Sequence, residues 1–168
     1  MKENYAACLQ AVLRYEGGKV DDPRDPGGRT AFGVTQGTYN GWRAAKGLPL
    51  QDVFKITQDE VGAIYRQNYW DAIRGDDLPD GVDMAVFDFA VNSGVSRAAK
   101  YLQAAVNVTQ DGVIGPKTIL ATKTYVANKV TDSRLNFLKG LPTWSAFGRG
   151  WANRINDVYA KVRDLCSS

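Results

Sequence analysis

Met84-Ala85-Val86-Phe87-Asp88-Phe89-Ala90-Val91 is the stretch that decides the fold, because it is apolar at nearly every position. A surface helix carries its apolar residues on one face, whereas a helix that is apolar all round is buried. We therefore predict a central buried helix over 84–91. Asp88 and Asn92 are four residues apart and share a face of this helix, where polar groups need either partners or a cleft.

Helical patterns continue on both sides of this central stretch. Thr57-Gln58-Asp59-Glu60 has the form of a capping box, and Pro116 suits the first turn of a helix. Glycine-rich connections separate the patterns at Gly75–Gly81 and Asn107–Gly115. Helices are predicted from Tyr5 to Tyr15, from Asp52 to Trp70, from Ser96 to Val106, from Asn128 to Leu138 and from Ala146 to Arg163.

The segment after the first predicted helix has a different character. Gly17-Gly18 ends the helix, because glycine tolerates the left-handed conformation that closes one. Asp21–Thr30 is dense in turn-forming residues, and Ala31–Thr35 has the alternation of a short strand. We expect a loop or small β-hairpin here, within a mainly α fold.

The amino-acid composition limits which catalytic groups the chain can use. The 168 residues carry a net charge of +3, with the basic residues scattered, so no nucleic-acid arm is predicted. The chain has no histidine, which excludes a Ser-His-Asp triad and a His-ligated zinc site. Catalysis would have to use carboxylates, hydroxyls, Lys or Tyr, and we expect neither a metal nor a cofactor. Cys8 and Cys166 could form a disulfide or remain two free thiols.

Glu16 is the most informative polar residue. At about 100° per residue along the first helix, it falls on the same arc as the apolar residues; these are Tyr5, Leu9, Val12 and Leu13. Partial burial and the negative end of the helix dipole would both raise its pKa. A protonated carboxylic acid in a cleft is what cleavage of a glycosidic bond requires. The alternative is an ordinary glutamate at a helix end, paired with Arg14, Lys19 or Arg29.

A second carboxylate would complete such a site. Asp25 is nine residues after Glu16, and Asp21 and Asp22 are closer, although aspartate is also a common turn residue. Thr30 could bind a water or a sugar, or satisfy the loop backbone. Tyr65 and Tyr69 share a helix face and Trp70 follows, so these aromatic rings either stack on sugars or belong to the core.

Two blocks of sequence resemble a known family. The first is Glu16-Gly17-Gly18-Lys19, then 22–30, which reads DPRDPGGRT, then Gly33-Val34-Thr35-Gln36. It resembles the N-terminal signature of glycoside hydrolase family 108, the phage-type N-acetylmuramidases, although Lys19 replaces the usual aromatic residue. The second block, 87–94 followed by Leu102-Gln103 and 111–118, looks like the predicted peptidoglycan-binding region of these proteins.

The resemblance implies a lysozyme-like helical fold that cleaves the β-1,4 bond between N-acetylmuramic acid and N-acetylglucosamine. It places the catalytic acid at Glu16, and a further likeness to phage lysozymes suggests Asp25 and Thr30 as its partners. Asp25 would stabilise the oxocarbenium-like transition state or orient a water, which Thr30 would help to place. The expected substrate contacts are Gln36, Tyr65, Tyr69, Trp70, Asp88 and Asn92.

The expected organisation is a catalytic region over residues 1–92 and a peptidoglycan-binding helical region over 93–168, packed as one compact unit. No signal peptide and no membrane span are visible, so we expect synthesis in a bacterial cytoplasm, export through a holin-made hole and action on glycan strands of the cell wall. Two rival functions stay open: a lytic transglycosylase, which would leave a 1,6-anhydro sugar, and a non-catalytic wall-binding module. Retention and inversion of configuration also stay open.

Overall fold

The computed structural model describes residues 2–24 and 27–167. It confirms a mainly α fold with a small β element. The strands are β1 (Lys19–Asp21), β2 (Arg29–Ala31) and β3 (Val34–Thr35). The α-helices are α1 (Tyr5–Leu13), α2 (Gln36–Ala45), α3 (Gln58–Tyr65), α4 (Val82–Ser93), α5 (Val95–Ala105), α6 (Pro116–Ala121), α7 (Val126–Lys139) and α8 (Trp144–Ser167).

The chain divides into two compact units. We call Met1–Cys8 with Asn68–Ser168 the helical unit, and Leu9–Gln67 the hairpin unit. These units follow the packing of the chain. The predicted boundary at residue 92 separates a catalytic from a peptidoglycan-binding region, and it stays a prediction.

The helical unit is built around α4, as the sequence predicts. Every residue from Val82 to Ala90 is buried, and α4 packs against α5, α7 and α8. Phe87 meets the edges of Tyr5 and Trp70 at ring distances of 5.9 and 5.2 Å, and Phe89 meets Tyr101 at 5.2 Å. Edge-to-face aromatic pairs of this kind add to the free energy of burial. A helix that is apolar all round is thus covered on opposite sides.

The hairpin unit contains a three-stranded antiparallel sheet in the order β1-β2-β3. Thr30 lies in the middle strand, opposite Val20 on one side and Thr35 on the other. Thr35 then caps α2, because its hydroxyl accepts a hydrogen bond from the backbone of Thr38. The predicted loop or hairpin is therefore a hairpin extended by one further strand.

The structure differs from the predicted helices at three places. Helix α2 was not predicted, and the single helix expected from Asp52 to Trp70 is interrupted. It consists of a 3₁₀ turn at Val53–Lys55, α3, and a π-helical turn at Arg66–Trp70. The predicted capping box is the reason: Thr57 has an extended backbone and caps α3 together with Glu60, so α3 begins after it. The first helix ends at Leu13, two residues earlier than predicted.

Both cysteines are free thiols, Cys8 buried and Cys166 exposed. Burial and the nearby charge of Asp83 raise the pKa of Cys8 well above its ordinary value. Among the described residues, no helix is long and apolar enough to cross a membrane.

Candidate active site

Glu16 lies just beyond the end of α1, in the hairpin unit. The last turn is closed by a hydrogen bond from the Tyr15 N–H to the Val12 carbonyl at 3.0 Å, and Glu16 follows with its side chain half-buried. Two residues later, the Gly18 carbonyl accepts a hydrogen bond from the Phe32 N–H at 3.2 Å. The chain on either side of Glu16 is therefore attached to the helix and to the sheet.

Phe32 and Gly33 form a tight two-residue turn between β2 and β3. Ala31 pairs with Val34, and the two turn residues have φ angles of +52° and +80°. A two-residue hairpin with both central φ angles positive has the form of a type I′ turn, in which glycine is favoured. Phenylalanine seldom adopts a positive φ, so Phe32 is held there by its surroundings. One restraint is the Tyr65 hydroxyl, which donates to the Phe32 carbonyl at 2.8 Å.

The carboxylate of Glu16 rests against this turn. A Cβ added to Gly33 would lie 2.8 Å from Glu16 Oε2 and 2.3 Å from the hydroxyl of Tyr65. Both distances are too short for a van der Waals contact, so any larger residue at this position would have to displace Glu16 and Tyr65. The structure thus brings together Glu16, the Phe32-Gly33 turn and Tyr65, and we call this group the Glu16 site.

Of the candidate second carboxylates, Asp25 lies outside the described residues. Asp22 accepts hydrogen bonds from the side chain and the backbone N–H of Arg24, which hold its pKa below the ordinary value. Asp21 pairs with Arg29 at 3.0 Å. Both alternatives to Asp25 are therefore engaged in surface ion pairs.

Thr30 occupies the centre of the sheet and is half-buried. Within the described part of the chain, its hydroxyl forms no hydrogen bond with another protein group. The hydroxyl is therefore available to bind a water or a sugar hydroxyl, as the predicted role requires.

Arg29, which the sequence analysis did not single out as part of the site, anchors the sheet beside Thr30. Its guanidinium pairs with Asp52 through two nitrogens at 3.2 and 2.7 Å, and stacks on the Phe54 ring at 3.8 Å. Bidentate pairing fixes orientation as well as distance. Asp52 is 23 residues away along the chain, so no local pattern could have revealed the contact.

Gln36 is hydrogen-bonded to the protein through both ends of its amide. The nitrogen donates to Asn40 Oδ1 and to the Gln51 carbonyl, each at 2.8 Å, and the oxygen accepts from the Val53 N–H. In this structure the side chain ties the start of α2 to the segment before α3. Its role as a substrate contact stays a prediction.

The remaining predicted contacts belong to the helical unit. Trp70 is fully buried and donates from Nε1 to Asp76 at 2.9 Å, so a sugar could stack on its ring only if the core opened. Tyr69 and Asn92 are half-buried. Asn92 accepts a hydrogen bond from Arg134 at 3.1 Å. Their predicted roles are not tested by this geometry.

Asp88 is completely buried between two arginines. Arg134 donates to it at 2.6 Å, and Arg154 donates to both of its oxygens at 3.0 to 3.2 Å. Burial alone would raise the pKa of Asp88, but the two guanidinium groups outweigh it and hold the pKa below the ordinary value. Asp88 is thus an ionised structural centre, and a substrate contact would have to displace an arginine.

The described residues contain no group of three or more Cys, Asp or Glu side chains placed to hold a metal ion. The arrangement at the Glu16 site is instead a half-buried carboxylate at a helix end, beside a hairpin with an available hydroxyl. A mainly helical chain with this small β element has a lysozyme-like fold.

Comparison with known proteins agrees with this class. Residues 9–94 match the family model described as glycosyl hydrolase 108, and the chain belongs to this family. A solved structure of SagA from Brucella abortus is similar over 98% of this chain and 97% of that one, with 43% sequence identity and a TM-score of 0.81. None of the curated proteins compared with the chain matches it. The chain is therefore a glycoside hydrolase, and its family suggests peptidoglycan as the substrate.

Proposed function

We propose that this glycoside hydrolase is an N-acetylmuramidase that hydrolyses the β-1,4 bond between N-acetylmuramic acid and N-acetylglucosamine. The observation that carries the proposal is the position of Glu16, half-buried just beyond the end of α1 and packed against the Phe32-Gly33 turn. A carboxylic acid in such a setting can protonate the leaving oxygen of a glycosidic bond.

In the proposed mechanism, Glu16 donates its proton to the glycosidic oxygen as the bond to the muramic acid carbon breaks. Asp25 stabilises the positive charge that develops on the sugar ring or orients the incoming water. The Thr30 hydroxyl helps to place that water, which is consistent with its lack of a protein partner among the described residues. Gln36, Tyr69 and Asn92 are the predicted substrate contacts that retain exposed surface.

We also propose that residues 93–168 contribute to binding the wall polymer, and that the enzyme acts on the cell wall after synthesis in a bacterial cytoplasm. The support for the binding role is the second sequence block, which includes Gln103 and Asp111-Gly112. In the structure, the buried Gln103 amide links the two parts of this block. It donates to Asp111 at 2.8 Å and accepts from the Gly112 N–H at 3.0 Å.

The test compares the wild type with Glu16→Gln on purified sacculi, measuring turbidity loss and released reducing ends. Glutamine keeps the size of the side chain but has no proton to transfer, so the rate should fall by roughly 10²–10⁴-fold. The matched control is Glu3→Gln, because Glu3 is an exposed glutamate at the start of the chain and should leave the rate unchanged. Circular dichroism establishes that both variants are folded.

Three results would contradict the proposal. If Glu16→Gln cleaves as fast as the wild type, the acid is another residue. If mass spectrometry shows 1,6-anhydro ends in place of reducing ends, the enzyme is a lytic transglycosylase. Binding of sacculi without any cleavage by the wild type would indicate a wall-binding module.

A further inference from the structure

The helical unit contains a cavity of about 750 Å³ along one side of α5. This volume is within the usual range for ligand pockets, roughly 300–1,000 Å³. We call it the basic groove, because two cations line it together with hydroxyl and amide groups. Its polar lining residues are Ser93, Ser96, Arg97, Lys100, Tyr101 and Gln110.

The charges of Arg97 and Lys100 destabilise the helix that contains them. They are one turn apart on α5, so their like charges repel, and Arg97 lies in the first turn, where the helix dipole disfavours a cation. Helix α5 contains no acidic residue, and neither cation forms an ion pair with any acidic side chain in residues 2–24 and 27–167. Two cations without counter-charges in a cavity favour an anionic ligand.

Both side chains are nevertheless held in place. The guanidinium of Arg97 lies 4.6 Å from the centre of the Phe137 ring, a cation–π contact. The side chain of Lys100 packs beside Gly112, where an added Cβ would be 3.3 Å from its Cε. Asp111, the neighbouring acid, is turned toward Gln103 and the Val113 N–H. The groove thus presents two positive charges, and an aromatic ring orients that of Arg97.

We propose that the basic groove binds the carboxylates of the peptidoglycan stem peptide. This inference rests on the proposed function, which supplies a substrate whose peptides carry free carboxylates along a short chain. Ser93, Ser96 and Gln110 provide the hydrogen-bonding groups that peptide amides require. A nucleic acid fits less well, because its affinity comes from many phosphate contacts and the groove has two cations.

A second cavity adjoins the basic groove and enlarges the surface available to a bound peptide. It has a volume of about 420 Å³ and shares Ser93 and Arg97 with the basic groove. Its other walls include the aromatic side chains of Phe137 and Trp151. A peptide bound to Arg97 would therefore have an apolar surface on one side and the second cation on the other.

Nuclear magnetic resonance titration of the full chain tests the proposal. The probe is the synthetic tetrapeptide L-Ala-γ-D-Glu-meso-diaminopimelate-D-Ala, compared with the same peptide in which every carboxylate is amidated. The acidic peptide should shift the amide signals of Ser96 and Lys100, and the amidated one should bind several-fold more weakly. Lys100→Gln and Arg97→Gln should each weaken binding by roughly two- to fivefold, since exposed ion pairs are individually modest.

The matched control is Lys123→Gln, which removes an exposed lysine outside both cavities and should leave binding unchanged. The proposal fails if the two peptides bind equally, or if Lys123→Gln weakens binding as much as Lys100→Gln. It also fails if a short DNA duplex competes better than the acidic peptide. Titrating Glu16→Gln as well separates the two proposals, because peptide binding should survive in it whether or not Glu16 proves to be the acid.

Discussion

Glu16 of the hairpin unit and Asp88 of the helical unit are both carboxylates next to apolar helical sequence, but their surroundings are opposite. Glu16 follows the end of α1 and keeps part of its surface exposed, packed against a glycine turn. Asp88 lies in the middle of α4, has no exposed surface and is surrounded by Arg134 and Arg154. The difference follows from their positions, because Glu16 lies beyond a helix end and Asp88 lies in the buried stretch of α4.

The two carboxylates have different physical requirements. A charged residue in the middle of a buried helix must have charged partners, because an isolated buried ion is very costly. A carboxylate at a helix end can remain available for proton transfer, while its position is set by backbone contacts such as Phe32 with Gly18. A substitution at Asp88 should therefore lower the free energy of unfolding, and a substitution at Glu16 should lower activity.

Asp88→Asn should produce the largest loss of stability. It leaves two buried guanidinium groups without their anion, so the free energy of unfolding should fall by about 3–5 kcal/mol. Urea denaturation measures this loss. The control is Asp164→Asn on the exposed surface of α8, which should change stability by less than about 0.5 kcal/mol. If Asp88→Asn matches that control, the arginines do not depend on Asp88, and the contrast with Glu16 is lost.

Gly33→Ala should damage the Glu16 site more than it damages the fold. Alanine would collide with Glu16 and Tyr65, and a displacement of about 1 Å in a catalytic group can lower kcat/KM by about 10²-fold. The matched control is Gly47→Ala: Gly47 has a similar positive φ of +69°, but nothing lies within 4 Å of its added Cβ. Both variants place alanine at a similar positive φ, so equal activities would show that the contact with Gly33 does not position Glu16.

The buried centre of the helical unit could be anticipated from sequence, and the hairpin unit only in part. Helix α4 was predicted because burial on all sides requires an apolar residue at nearly every position. Helix α2 was missed, since Gly37 and Gly41 lower its intrinsic helix propensity and its stability comes from contacts. Those contacts include the Thr35 cap and the buried Tyr39, whose hydroxyl donates to Glu60.

The Glu16 site shows the same limit at the level of single residues. Glu16 and Thr30 were singled out from the helix arc, the turn composition and the family resemblance. The positive φ of Phe32 and the bidentate contact of Arg29 with Asp52 were not predicted. Both depend on segments distant in sequence, which a local pattern does not encode.

Acidification should weaken the helical unit through Asp88. Its pKa is below the ordinary value in the folded state and about 3.9 in the unfolded chain, so its ionisation stabilises the fold fully above about pH 4. As the pH falls from there through the folded-state pKa, this contribution is lost. Urea denaturation between pH 6 and pH 3 should therefore show a steeper loss for the wild type than for Asp88→Asn. Parallel curves would mean that Asp88 has the same pKa in both states.

Arg29→Lys should have the smallest effect on stability and the most informative effect on activity. Lysine keeps the charge near Asp52 but loses the bidentate geometry and the planar stacking on Phe54. Because Arg29 is more than a third exposed, solvent screens the pair and the loss in unfolding free energy should be small. A severalfold fall in kcat with KM unchanged would then show that Arg29 positions Thr30 for the reaction. A stability loss with unchanged kcat would make Arg29 a structural anchor only, and the hairpin would hold Glu16 without help from this contact.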